Sequence, residues 1–272
     1  MIKLIASDID GTLISEGTHE FPKELGDIID RLKSLGIIFV AASGRQYKSM
    51  YRLFKDKAED VIFVSGNGSY IRCRDYDMKE HRMPKDILEQ LVNEIRSMES
   101  EGYCFMAESK ETAYVEVNSV EFKELLVNGY HYEITPVKDI LKECDDILKI
   151  SLYHKTKIQV AADKMIPEWQ EKLKVLRSGT NWVDFMPQGV DKGSAIASIQ
   201  QVMGISKEET MVFGDNTNDV GMFAEAKYSY AVENAADEVK QQAAHIAESP
   251  EKKGVIQLLQ QMVDKLEQEI DN

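Results

Sequence analysis

The chain has 272 residues, 43% of them hydrophobic and 29% charged, which is enough to bury one large domain or two moderate ones. Its formal net charge of -14 leaves no basic excess for nucleic acid, and no run of about 18 apolar residues is present to cross a bilayer. Three scattered cysteines, Cys73, Cys104 and Cys144, form no CxxC pair, which argues against a disulfide framework or zinc site and suits a reducing cytoplasm.

The first elements alternate. "IKLIAS" reads as a buried strand that runs straight into Asp8 and Asp10, too early for a signal peptide. "FPKELGDIIDRLKSLG" reads as a helix with Pro22 in its first turn, Gly36 at its stop and Leu25, Ile28, Ile29, Leu32 and Leu35 on one stripe. "IIFVAAS" is a second buried strand, "QYKSMYRLFKDKA" a second helix and "VIFVS" a third strand. Continuous apolar strands separated by helices predict a parallel sheet covered on both faces. "SGNGSY" matches neither the Walker nor the dinucleotide pattern and reads as a tight turn leading to the inserted unit.

From about Pro84 the pattern changes. "PKDILEQLVNEIRSMESEG" is helical, "YCFMAE" and "TAYVEV" read as strands around a polar turn, and a helix follows at about residues 120–127. The strand "ILKISLY", a helix around Trp169 and the strand "NWVDFMP" complete an α+β unit. After Gln188 the first pattern returns: helix "KGSAIASIQQVMG", strand "TMVFG", short helix "NDVGMFAEA", strand "YSYAV" and the amphipathic helix "GVIQLLQQMVDKLEQEI". This predicts an α/β domain of residues 1–82 and 187–272, with an α+β domain inserted at residues 83–186. The C-terminal "EQEIDN" reads as a solvated face.

Four stretches end predicted strands at the edge where open α/β sheets place ligands. In "DIDGTL", Asp8 and Asp10 repel unless a hard cation such as Mg²⁺ stands between them. The EF-hand pattern fails here, because Thr12 holds the fifth loop position and His19 stands where its closing Glu belongs. In Ala42-Ser43-Gly44-Arg45, a hydroxyl, a bare amide and a helix start suit either a phosphate seat or an ordinary strand-to-helix turn. In Asp191-Lys192-Gly193-Ser194, a cation at a helix start opposes the dipole; by itself it reads as a solvated surface charge, and a nearby anion explains it better. In "FGDNTNDVGMF", Asp215, Asn216, Asn218 and Asp219 crowd one turn with oxygen donors.

These four motifs, in this order and around this insertion, resemble the haloacid dehalogenase superfamily of phosphatases, in its Cof-type branch with a type IIB cap. The resemblance implies a Rossmann-like core with a C2B α+β cap, and hydrolysis of a small phosphate monoester, such as a sugar phosphate or phosphorylated cofactor, with Mg²⁺. It implies Asp8 as nucleophile and Asp10 as general acid and base. Ser43, Gly44, Lys192 and Asn218 then bind phosphate, and Asp8, the Asp10 main-chain carbonyl and Asp215 hold the metal. Asp219 supports Lys192 or the metal from behind, and Asn67 is a candidate substrate contact. One departure is Val232-Glu233-Asn234-Ala235, where the branch carries Met-Gly-Asn-Ala, and it bears on the loop beside the metal site. Two alternatives remain at this point: a phosphomutase or phosphotransferase on the same scaffold, and a non-catalytic sensor of phosphometabolites. Oligomeric state is not readable from the sequence.

Overall fold

Strand β1 (Leu4–Ser7) is buried along its whole length, and its residues feed two different cores. Ile5 packs into one hydrophobic cluster, while Leu4 and Ala6 pack into another on the opposite face of the sheet. Full burial of one such side chain stabilises the fold by about 1.5–3 kcal/mol. The computed structural model describes residues 1–18, 20–116, 119–178 and 180–270. His19, Val117 at the end of one predicted strand, and Asp271 and Asn272 of the acidic tail lie outside them.

Among the described residues the first sheet contains β1, β2 (Ile38–Ala42), β3 (Val61–Ser65), β4 (Tyr70–Cys73) and β5 (Tyr76–Glu80). The second contains β6 (Cys104–Glu108), β7 (Ala113–Glu116), β8 (Ile134–Val137), β9 (Lys149–Tyr153), β10 (Leu173–Ser178) and β11 (Trp182–Pro187). The chain then returns to the first sheet through β12 (Thr210–Gly214), β13 (Tyr228–Val232) and β14 (His245–Ala247). The first sheet runs β14-β13-β12-β1-β2-β3-β4-β5, parallel as far as β3. The helix Lys23–Ser34 buries Leu25, Ile28, Ile29 and Leu32 on one face, and the helix Lys192–Met203 buries Ala195, Ile196 and Ile199 on the other. This is the expected Rossmann-like core.

The hairpin β4–β5 is a difference from the sequence reading. The "SGNGSY" turn is a short 3₁₀ segment, Gly66–Gly68, but it leads into two antiparallel strands rather than directly to the insertion. Their join carries Arg74 at φ 53 instead of a glycine, and β5 is a charged edge strand. Neither gives the usual hairpin signal. β8, β10 and β14 likewise lie where the sequence pattern gives no strand.

The second sheet is ordered β10-β11-β9-β6-β7-β8, and its central strands alternate strictly. Phe105, Ala107, Ile150, Leu152, Val183 and Phe185 form a core with the helices Lys85–Ser97 and Ile158–Trp169. The intervening residues, among them Glu108, Lys149, Ser151 and Asp184, lie on the other face, which roofs the carboxyl ends of the core strands. This inserted layer is the cap.

Candidate active site

Asp8 directly follows β1, and its N–H extends the ladder to the Phe213 carbonyl at 3.0 Å. That pairing places Asp8 beside the loop after β12, which carries Asp215. A turn follows at Gly11, whose N–H donates to the Ile14 carbonyl at 2.8 Å. Gly11 has φ +81, and a Cβ there would lie 2.6 Å from Asp215 Oδ2, so only glycine lets the two loops approach this closely. Thr12 Oγ1 donates to Asp215 Oδ1 at 2.7 Å.

Lys192 is the first residue of the helix Lys192–Met203, capped by Asp191, whose side chain accepts the Ser194 N–H. The helix comes close to the Asn218–Asp219 loop because Gly193 meets Gly221, and a Cβ at Gly193 would lie 2.4 Å from the Gly221 carbonyl carbon. The ammonium is 0% exposed and donates to Asp8 Oδ1 at 2.5 Å and Asp219 Oδ1 at 2.7 Å. Asp219 is equally buried, and its second oxygen accepts the Asp215 and Asn216 N–H groups, each at 3.0 Å. Asp219 is therefore satisfied on both oxygens.

Carboxylate oxygens of Asp8, Asp215 and Asp219 lie within 4.8 Å of one another. Burial pushes the Asp8 carboxyl well above its ordinary range against the pull of Lys192, and the charges of Asp219, Asp215 and Asp10 push the same way. Burial, then Asp219, raises Asp215 to about 6, with the Thr12 hydrogen bond opposing. Carboxyls resisting ionisation together lack positive charge, and a hard divalent cation suits such an all-oxygen donor set. Asp219 is already engaged, which leaves Asp8 and Asp215 as the side chains free to hold it.

The Asp10 carboxylate turns elsewhere. Arg45 grips it with two hydrogen bonds, Nε to Oδ2 at 2.7 Å and Nη2 to Oδ1 at 2.5 Å. Asp8, Asp10, Ser43, Gly44, Asp215 and Asn218 line one cavity of about 480 Å³ between core and cap. Lys192 stands behind Asp8 and Asn67 behind Gly44, and neither lines the cavity. Asn67, at φ 57, accepts from Asn218 Nδ2 at 2.9 Å and donates to Asp184 Oδ2 at 3.1 Å. Its side chain thus joins core to cap. In the divergent stretch, Glu233 turns outward to Lys252, and Asn234 Nδ2 donates to the Gly11 carbonyl at 2.9 Å. The loop beside the metal-ligand turn is tied down despite the missing glycine.

Sequence reasoning quoted Arg45 without a task for it, and it missed the cap residues of the cavity. Lys149, Ser151, Asp184 and Trp182 line it from β9 and β11. The available signal was their position: every second residue of a strand whose other residues are core.

The sequence profile of haloacid dehalogenase-like hydrolases matches residues 5–259. The chain is 27% identical over 270 residues to the 5-amino-6-(5-phospho-D-ribitylamino)uracil phosphatase YbjI of Escherichia coli K12, covering 96% of both. A solved structure from Eubacterium rectale superposes with a TM-score of 0.87 at 32% identity, over 96% of this chain and 99% of that one. A sugar phosphatase of haloacid dehalogenase subclass IIB shares the fold, with a TM-score of 0.80 at 20% identity over 96% and 98% of the two chains.

Proposed function

The chain belongs to the haloacid dehalogenase-like hydrolase family as a phosphatase of small phosphorylated substrates, and from that membership we propose Mg²⁺-dependent hydrolysis of a phosphate monoester through an aspartyl-phosphate on Asp8. The observation that carries this reading is the buried Lys192 between Asp8 and Asp219, directly behind the Asp8 carboxylate that lines the cavity. A bare Asp8 would repel a phosphate dianion. Lys192 offsets that repulsion while Asp219, held by two backbone N–H groups, keeps the ammonium in place.

Asp8, Asp215 and the Asp10 main-chain carbonyl would hold Mg²⁺, which supplies charge compensation for the phosphoryl oxygens. Ser43 and the Gly44 N–H, in the lining of the same cavity, seat those oxygens, and Asn218 adds its amide. One Asp8 oxygen attacks phosphorus as the bond to the leaving oxygen breaks. The leaving oxygen takes a proton from Asp10. Asp10 then removes a proton from water, the water oxygen attacks phosphorus, and the bond to Asp8 breaks to release phosphate. For Asp10 to carry its proton, Arg45 must let go of at least one of its oxygens. An arriving phosphate dianion offers the guanidinium another partner.

We place the cap at residues 83–186 and assign to it the choice of leaving group. Its side of the cavity has Trp182 and Tyr130, whose rings meet edge to face at 5.7 Å, beside Lys149 and Asp184. Such a wall suits a ring-bearing leaving group, a phosphorylated cofactor precursor or a sugar. The test is phosphate release over a panel of both, with and without Mg²⁺ and without added acceptor. Asp8→Asn should fold and lose at least about 10³-fold in kcat. Comparable turnover by the variant, or turnover only with an acceptor alcohol, would defeat the hydrolytic reading.

A further inference from the structure

Four polar side chains on the cap strands are buried against the core without touching the proposed nucleophile. Lys149 and Asp184 are each 2% exposed, Glu108 is 3% and Ser151 is 1%. Asp184 accepts from Ser151 Oγ at 2.7 Å and from Asn67 Nδ2 at 3.1 Å, and Lys149 Nζ lies 3.4 Å from its Oδ2. Lys149 also pairs with Glu108 Oε1 at 2.8 Å. Its remaining contact crosses to the core: Lys149 Nζ donates to the Gly44 carbonyl at 3.0 Å.

That crossing lands on the proposed phosphate seat. The peptide before Gly44 Cα is pinned by Asn67, whose N–H donates to the Ser43 carbonyl at 3.0 Å. The peptide after it is pinned by Lys149 through the Gly44 carbonyl. Glycine has no side chain to limit its torsions, so the direction of the Gly44 N–H depends on both pins. Among the described residues that N–H meets no acceptor. The first pin is a core backbone contact and the second comes from the cap, whose Asp184 also accepts from the Asn67 side chain.

We propose that Lys149 is a positioning residue through which the cap aims the Gly44 N–H, so that affinity for the phosphoryl group depends on a cap side chain. The proposal rests on the reading of Ser43 and Gly44 as the phosphate seat. This effect runs through the Gly44 peptide, so phosphate affinity falls whatever alcohol is esterified.

The test is competitive inhibition by inorganic phosphate, with p-nitrophenyl phosphate as substrate and Mg²⁺ fixed. Wild type, Ser43→Ala, Lys149→Met and the double variant Glu108→Gln/Lys149→Met are compared. The double variant removes one charge of each sign, so it keeps the buried charge balance should the single variant fail to fold. The expected result is an inhibition constant raised about tenfold or more in Lys149→Met and in the double variant alike, with KM rising in parallel and kcat moving less. Wild-type phosphate affinity in either lysine variant, alongside weakened affinity in Ser43→Ala, would overturn the proposal and leave the seat standing. Wild-type affinity in Ser43→Ala as well would remove the seat, and the proposal with it.

Discussion

Two buried lysines in this molecule each stand between two carboxylates, Lys192 in the core and Lys149 in the cap. They differ in what their partners still offer. In the core, Asp219 is satisfied by backbone N–H groups, while Asp8 keeps an oxygen toward the cavity. In the cap, Asp184 is taken up by Ser151 and Asn67, and the free valence of Lys149 goes to a backbone carbonyl. One lysine therefore tunes a reacting group and the other holds a piece of backbone. A buried ion pair by itself distinguishes neither role.

The largest contrast is expected on removing each charge. Lys192→Met leaves Asp8 and Asp219 facing each other, and activity should fall at least about 10³-fold. Lys149→Met leaves Glu108 and Asp184 without their cation, a comparable insult to folding. Breaking either buried pair costs about 3–5 kcal/mol, read as lowered denaturant midpoints in urea titrations. Turnover in Lys149→Met should nonetheless stay within about 30-fold of wild type at saturating substrate. If the two variants proved equally inactive while both remained folded, the division between a reacting and a holding lysine would fail.

A smaller effect is expected at Arg45, which lies between the two regions. Arg45→Lys keeps the charge but loses the planar fork that spans both Asp10 oxygens. kcat/KM should drop about tenfold, with the melting temperature within a few degrees of wild type, since this pair is partly open to the cavity. An unchanged kcat/KM would mean that the fork has no part in presenting Asp10 or in receiving phosphate.

The two regions also differ in how far the sequence exposes them. Asp8, Asp10, Lys192 and Asp215 each sit in a short contiguous motif at a strand end, where residue type and position both mark them. Their convergence on one site needs only the order of a parallel sheet. Lys149 and Asp184 sit in "ILKISLY" and "NWVDFMP", where alternation places them on one face but does not say what covers that face. A polar residue opposite a hydrophobic face reads as solvated, and here the loops of the core domain cover it instead. Arg45 was visible, yet its pairing with Asp10 was not, because nearby motifs offered it several acids and a phosphate. The β4–β5 hairpin escaped for a third reason: an edge strand with a non-glycine turn carries little signature.

The smallest expected effect concerns Glu108, and it separates the two clusters by pH. Burial raises the Glu108 carboxyl above its usual range, with Lys149 pulling it down by less. A carboxyl whose folded pKa exceeds its unfolded one adds stability below the unfolded value, and that contribution is lost as pH rises through the folded value. Glu108→Gln mimics the protonated form and has nothing to lose. The difference in melting temperature, variant minus wild type, should therefore be near zero at about pH 4 and grow more positive toward pH 8. The variant still leaves Lys149 with Asp184 and the Gly44 carbonyl, so phosphate inhibition should stay within about threefold of wild type. A melting difference that became more negative with rising pH would show that Lys149 outweighs burial at Glu108. The cap triad would then resemble the core one, held together by full ionisation rather than by a carboxyl resisting it.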